Sequence, residues 1–420
     1  MNNIALLFPG QGSQYIGMAK ELYNRYSIAK EVFEEADETL GFRLSRLCFE
    51  GSMEDLTKTE NTQPALLTSS VAAFSVYMNE VGIEPTCLAG HSLGEITALC
   101  CTGAIRFADA VKIVRRRGKF MQEAVAVGVG GMVAVNGVDH NIIEAECRKS
   151  SKDGQVVVVS NYNSPDQIVI SGSTEALSDV INNLKRMDAR IIPLKVSAPF
   201  HSPLMKPASE KLKEELLKYT YYDMKWPVIS NLYSQPYPDR ESIIEYLSLQ
   251  LIQPVKWHGS MSYLNKLGVN TAIEIGPQVV LKNLMKKNYS HIKTFSFENE
   301  KDIQGVKVHL SKNDAVNEDI NNMSIITKCI AEAVCSKNSN WDNDEYQKGV
   351  IESYKKMQVI KNELKDEGAN PSIDQVKEVI AMLDVILKTK KIPDYERIES
   401  FRRIFEETGT EQLFLDFLSV

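Results

Sequence analysis

The sequence has no apolar run approaching about 18 residues, so it offers no membrane-spanning helix. It also lacks a G-x-G-x-x-G turn, a P-loop and any metal-ligand constellation. Dinucleotide, nucleoside-triphosphate and metal chemistry are therefore left without a motif. Positive charge is not in excess: 48 Lys+Arg stand against 55 Asp+Glu, a net of −7, which argues against general nucleic-acid binding. Cysteine is sparse and odd in number. The seven are Cys48, Cys87, Cys100, Cys101, Cys147, Cys329 and Cys335, with no pair at zinc-ligand spacing. Free, buried thiols in a reducing compartment are expected. The first residues, MNNIALLFPGQG, have no basic segment and too short an apolar core for a signal peptide, so a cytoplasmic location is expected.

The chain is 420 residues long, enough for two or three domains, and its 43% apolar and 25% charged residues are those of a globular protein. Charge is unevenly spread. Residues 311–420 hold 15 Lys+Arg and 21 Asp+Glu, a net of −6, which leaves −1 for the first 310. A polar stretch at 301–320 reads as a linker at that boundary.

The sequence is organised around residues 85–101, PTCLAGHSLGEITALCC. Thr86 to Ala89 reads as a buried strand and Glu95 to Cys101 as a helix, with G-x-S-x-G between them. That order is a nucleophile elbow with Ser92 at its apex. Gly90 and Gly94 let strand and helix approach closely. The Leu93 N–H, at the positive end of the helix, points where an oxyanion would form.

Three further features join the elbow. Residues 4–8, IALLF, read as a buried central strand running into Pro9-Gly10-Gln11-Gly12-Ser13-Gln14, and a turn at the end of such a strand is where α/β sheets place ligand groups. Residues 107–125 read as one amphipathic helix whose apolar stripe contains Arg117, while Arg115 and Arg116 fall on the solvent side. A buried arginine needs an anion, supplied by an internal acid or by a substrate carboxylate gripped in two-pronged fashion. His201, in Ala198-Pro199-Phe200-His201, follows a strand and is well placed as a general base for Ser92. It is one of only six histidines. Between these features, residues 131–196 read β-α-β-β-α-β, the ferredoxin-like pattern of an inserted subdomain.

With the FPGQGSQ turn, the GHSLGE elbow, the Arg117 helix, the PFH turn and Asn161-Tyr162-Asn163-Ser164-Pro165 in order, residues 1 to about 300 resemble the malonyl-CoA:acyl carrier protein transacylase family. The resemblance implies an α/β fold: a hydrolase-like parallel-sheet core over 1–125 and 197–300, with a ferredoxin-like subdomain at 126–196. It implies Ser92 as nucleophile, His201 as base, and Gln11 and the Leu93 N–H as oxyanion donors. Arg117 would be the malonyl carboxylate clamp. The family orients its histidine with a backbone carbonyl, here that of Gln250, with Gln253 the competing match. Leu93 with Phe200 is the pair seen in malonyl-selective members, Phe200 narrowing the space beside the acyl α-carbon. Malonyl-CoA would be the donor, phosphopantetheine on an acyl carrier protein or carrier domain the acceptor. No bound cofactor, metal, nucleic acid or membrane is called for. Lys185, Arg186, Lys282, Lys286 and Lys287 are candidates for a basic rim facing an acidic carrier.

Beyond the resemblance, helical patterns at about 323–336, 343–366, 372–389 and 394–418 make residues 321–420 an all-helical C-terminal extension. Ser372 with Gln375 forms a capping box, and Val376, Ile380, Leu383 and Leu387 share one stripe. Such stripes usually bury themselves, so a small bundle is favoured over a docking module. A free-standing acyltransferase with such an extension resembles those serving polyketide synthases in trans. Two other readings stay open. One is an acyl-thioester hydrolase on the same scaffold, clearing stalled chains. The other is a non-catalytic scaffold, disfavoured because Ser92 and His201 are both present.

Overall fold

The structure is a computed structural model. It describes residues 3–420 apart from Val127, Asp153, Lys195, Ser197, Asn370, Gly409, 411–413 and 415–420, and the side chains of 311–322 and Ile373. Ser197 of the expected turn, and most of the last helix beyond 408, thus lie outside the described residues. The chain divides into two units, Asn2–Val308 and His309–Val420.

The first unit is built on a five-stranded sheet of order β7-β2-β1-β8-β9. Its strands are β1 (Ile4–Phe8), β2 (Cys87–Gly90), β7 (Val228–Ile229), β8 (Thr271–Ile275) and β9 (Lys293–Phe297). Every pairing is parallel. Strands β1, β2 and β8 are buried at every residue, β1 and β2 as the apolar runs expected in a sheet covered on both faces, while β8 also buries Glu274, whose carboxylate accepts from the Leu281 and Lys282 N–H groups. The register aligns Phe8 with Gly90, so the FPGQG turn and the elbow leave the sheet side by side. The His91 N–H donates to the Phe8 carbonyl at 3.0 Å, which ties the two turns together.

Two glycines make the elbow physically attainable. A Cβ on Gly90 would stand 1.9 Å from the Gly94 backbone, and one on Gly94 would stand 2.0 Å from the Phe8 carbonyl oxygen. Neither neighbour is a side chain that could swing aside. Gly90→Ala is therefore expected to destabilise the fold by about 3 kcal/mol or more, read as a lowered urea midpoint.

Strands β3 (Gly130–Asn136), β4 (Val157–Ser164), β5 (Gln167–Ser173) and β6 (Arg190–Pro193) form a separate antiparallel sheet of order β4-β5-β3-β6. Helices His140–Ser150 and Thr174–Lys185 bury Ile143, Cys147, Val180 and Leu184 against Val135, Val157 and Ile170. The last strand is shorter than the expected 189–196. Backbone bonds from Tyr162 N to Val255 O, and from Val255 N to Ser160 O, at 2.9 and 2.8 Å, stitch β4 to the parallel-sheet core.

The second unit has its own core. Ile325, Ile326, Cys329, Met357, Val376, Ile380, Leu383, Leu387, Phe401 and Phe405 are buried together, with the predicted stripe of Ile373–Thr389 at its centre. The Ser372–Gln375 capping box is present, both bonds made. Two expectations need correction. Residues 301–320 are not an open linker but part of the helix Glu300–Cys335. Of the last helix, expected over 394–418, Asp394–Thr408 is helical, and of the described residues beyond it Thr410 and Phe414 are not. The cysteines are all free, but Cys335 is exposed and Cys100 and Cys101 are only half-buried. Among the described residues, no helix is long and apolar enough to cross a membrane and no group of three or more His, Cys, Asp or Glu is placed to hold a metal ion.

Candidate active site

Ser92 sits between β2 and the helix Leu93–Cys101, with φ 52° and ψ −103°. A non-glycine residue there is strained, and the surroundings must hold it. Asn231, fully buried just past β7, does so. Its Oδ1 accepts from the Ser92 N–H at 2.7 Å and its Nδ2 donates to the Gly90 carbonyl at 2.7 Å. One amide thus spans the turn from both sides.

His201 also has positive φ, 56°, and is buried. Its Nδ1 lies 2.7 Å from the Gln250 backbone oxygen and its Nε2 2.8 Å from Ser92 Oγ. A carbonyl can only accept, so Nδ1 carries the proton and Nε2 is left as an acceptor aimed at the serine hydroxyl. The carbonyl is that of Gln250, not Gln253. Burial, with Arg117 nearby, pushes the imidazole down from 6.5 to about 3, so it is neutral at physiological pH.

Arg117 comes from the helix Phe107–Glu123 and is 1% exposed, as its place on the apolar stripe predicts. Arg116 is exposed, but Arg115 departs from its expected solvent position: it is half-buried, donating to the Glu60 carbonyl and pairing with the Glu60 carboxylate. The Arg117 Nη2 donates to Gln250 Oε1 at 2.8 Å and to Ser92 Oγ at 3.2 Å, while its buried Nε has no hydrogen-bond partner. Burial lowers its pKa to about 10, so it remains a cation at neutral pH. The expected alternative, a direct salt bridge to an internal acid, is not what the described residues form. The nearby acid, Glu95, is reached only through the Gln250 amide.

A cavity of about 330 Å³ opens onto these groups. Gln11, Ser92, Leu93, Arg117, Phe200 and His201 all line it, and so do Met132, Ala134, Ile192 and Leu194 of the antiparallel sheet and its exit. Leu93 opens its helix, so its N–H belongs to the first turn, which has no intrahelical acceptor. Gln11 Nε2 stands 3.5 Å from Thr59 Oγ1. The structure therefore gathers all seven sequence-predicted site residues at one place, Gln250 through its contacts with His201 and Arg117. The set couples a neutral base, an activated hydroxyl and a buried cation, which is suited to acyl transfer from an anionic acyl group.

Sequence reasoning missed Asn231, Glu95 and Tyr237. Glu95 is 1% exposed; its carboxylate accepts from Tyr237 OH at 2.6 Å and from Gln250 Nε2 at 2.5 Å. The one available signal was an acid on the helix of the elbow, in a stretch otherwise apolar.

Residues 5–320 match the family described as acyl transferase domain. The chain belongs to that acyl transferase family. A Bacillus subtilis malonyl CoA-acyl carrier protein transacylase is 39% identical over 401 residues, covering 95% of this chain and 99% of the relative. Another, from Bacillus subtilis strain 168, is 48% identical over 305 residues, or 72% of this chain and 96% of its own length. Among solved structures, the Clostridium perfringens malonyl CoA-acyl carrier protein transacylase aligns with TM-score 0.72 at 39% identity, covering 75% of this acyl transferase and 99% of the other chain. A malonyl-transacylase solved with its type II polyketide synthase acyl-carrier protein aligns with TM-score 0.72 at 38% identity, covering 73% and 100%. The first relative is long enough to share the C-terminal helical unit of this acyl transferase. The second is not.

Proposed function

We propose that this chain moves a malonyl group from malonyl-CoA to the phosphopantetheine thiol of an acyl carrier protein, in fatty acid or polyketide synthesis. The observation that carries the reading is Arg117: a buried cation whose Nη2 lies 3.2 Å from the hydroxyl of Ser92 and whose Nε has no partner. Only an acyl group with a second, negative end makes use of it.

His201 Nε2 takes the Ser92 proton as Oγ bonds to the thioester carbonyl carbon. Gln11 and the Leu93 N–H hold the tetrahedral oxyanion, each donor worth on the order of 10²–10³ in rate. The C–S bond breaks, and His201 passes the proton to the CoA sulfur. The malonyl ester remains on Ser92 with its carboxylate on Arg117. The carrier thiol then gives its proton to His201 and attacks the ester. The C–O bond breaks and the proton returns to Oγ. Phe200 narrows the cavity beside the α-carbon. One methyl is worth about 1–3 kcal/mol, so methylmalonyl groups are disfavoured but not barred. The enzyme brings no cofactor of its own to these steps.

The insert at 126–196 is read as a ferredoxin-like subdomain; the strand order β4-β5-β3-β6 with two helices supports this. Residues 321–420 are read as a helical extension. A polyketide role remains the reading proposed for a chain with that extension, which reaches past the 305 residues aligned with the strain 168 relative. Lys282, Lys286 and Lys287 are proposed as part of the carrier-facing rim. They lie on the helix Val280–Asn288, whose Val280, Leu281 and Leu284 line the cavity.

Intact-protein mass spectrometry tests the reading. Incubation with malonyl-CoA is expected to give a malonyl adduct that passes to holo acyl carrier protein. Loss of the adduct to water without a carrier would instead establish a hydrolase.

A pH profile gives a second check. The depressed pKa of His201 keeps the base in its accepting form below the ordinary 6.5, and that form is lost only towards about 3. Thus kcat/KM for malonyl-CoA is expected to show no imidazole limb of about tenfold per pH unit between pH 6.5 and 5. Such a limb would contradict the assigned environment.

A further inference from the structure

Gln250 joins more of the site than a backbone carbonyl. Its carbonyl oxygen accepts from His201, its Oε1 accepts from Arg117 Nη2 at 2.8 Å, and its Nε2 donates to the Ser92 carbonyl at 3.0 Å and to Glu95 Oε2 at 2.5 Å. A side-chain amide can turn over, exchanging oxygen and nitrogen. Turned over, it would present an N–H₂ to a guanidinium that has only donors. Glu95 forbids that. In its ionised form the carboxylate can only accept, although burial pushes its pKa up to about 7, and it is anchored on its other oxygen by Tyr237 OH at 2.6 Å. All three side chains are at least nine-tenths buried, so no water competes to set the amide's orientation.

We propose that Glu95 is a positioning residue: by fixing which end of the Gln250 amide faces Arg117, it holds the guanidinium in place to receive the free carboxylate of the acyl donor and so sets the preference for dicarboxylic over monocarboxylic acyl groups. This rests on the malonyl-transfer reading. The role depends on the reach of the acceptor rather than on its charge. Glu95 makes no ion pair with Arg117, and the two meet only through the amide.

Two substitutions separate reach from charge. Glu95→Gln keeps an acceptor at the same distance but is neutral. Tyr237 OH can reverse to accept from the new amide, leaving Oε1 for Gln250. Glu95→Asp keeps the charge but withdraws the carboxylate by one C–C bond, roughly 1.5 Å. On the full chain with holo acyl carrier protein, kcat/KM is measured for malonyl-CoA and acetyl-CoA. E95D is expected to lower the malonyl-to-acetyl ratio by about tenfold, through a raised KM for malonyl-CoA, whereas E95Q stays within about threefold of the wild type. In an Arg117→Ala background E95D is expected to leave the ratio where R117A puts it. Tyr237→Phe, which loosens the same carboxylate, is expected to move the ratio the same way by about threefold; it serves if E95D does not fold.

The inference is overturned if E95D lowers both donors equally, if E95Q loses what E95D keeps, or if Y237F leaves the ratio unmoved. A wild-type enzyme with no preference for malonyl-CoA would overturn the functional reading instead.

Discussion

Ser92→Ala is expected to give no malonyl adduct and to lose on the order of 10⁴ or more in transfer rate, measured by intact mass and by malonylation of the carrier. The reason is geometric. Ser92 Oγ is the hydroxyl that His201 Nε2 faces, at 2.8 Å, and the strained elbow places it on the cavity wall. Alanine fits the same backbone, so Asn231 can still brace the turn and the variant is expected to fold. His201→Ala is expected to cost a similar factor. The double variant should cost little more than either alone, because the two residues act as one unit. A Ser92→Ala protein that still carried a malonyl group would place the nucleophile elsewhere.

Arg117→Ala is expected to change which donor is accepted. The guanidinium is worth most where it is buried, and truncating one partner of a buried charged hydrogen-bond pair costs about 2–5 kcal/mol. Transfer from malonyl-CoA should therefore fall by roughly 10²–10³ in kcat/KM. Acetyl-CoA should be handled as well as before or better, since its methyl group no longer lies against a desolvated cation. Competition between the two donors for one pool of carrier protein reads the reversal directly. A variant that lost both donors in proportion would show Arg117 to be structural. Arg117→Lys is expected to recover only part of the loss, because an ammonium cannot match a carboxylate two-pronged.

Much of this site could be read before any coordinates. Gly90 and Gly94 around Ser92 mark an elbow because only a glycine pair permits that approach, and helical periodicity alone puts Arg117 on a buried face. The family resemblance then supplied Gln250 and Phe200, which no spacing rule picks out. Asn231 and Tyr237 were not legible. They stand 139 and 142 residues from their partners Ser92 and Glu95, and nothing local marks a buried asparagine as a brace. Glu95 was hidden by convention: an acid in a helix's first turn reads as a favourable dipole partner, and only tertiary packing shows that it faces inward. In the extension the stripes located the buried faces well. The polar segment at 301–320 was read as a linker because polarity signals exposure, not loss of helical backbone.

The acyl chamber has two landlords. One wall, made by the elbow, the helix Phe107–Glu123 and the turn that holds His201, carries the reactive groups. The other, with Met132, Ala134, Ile192 and Leu194, comes from a sheet that folds around its own interior. Changes of side-chain bulk on that second wall can therefore resize the chamber while the elbow, the base and the cation keep their mutual distances. Descent with altered acyl breadth has a route here that leaves the reaction itself untouched.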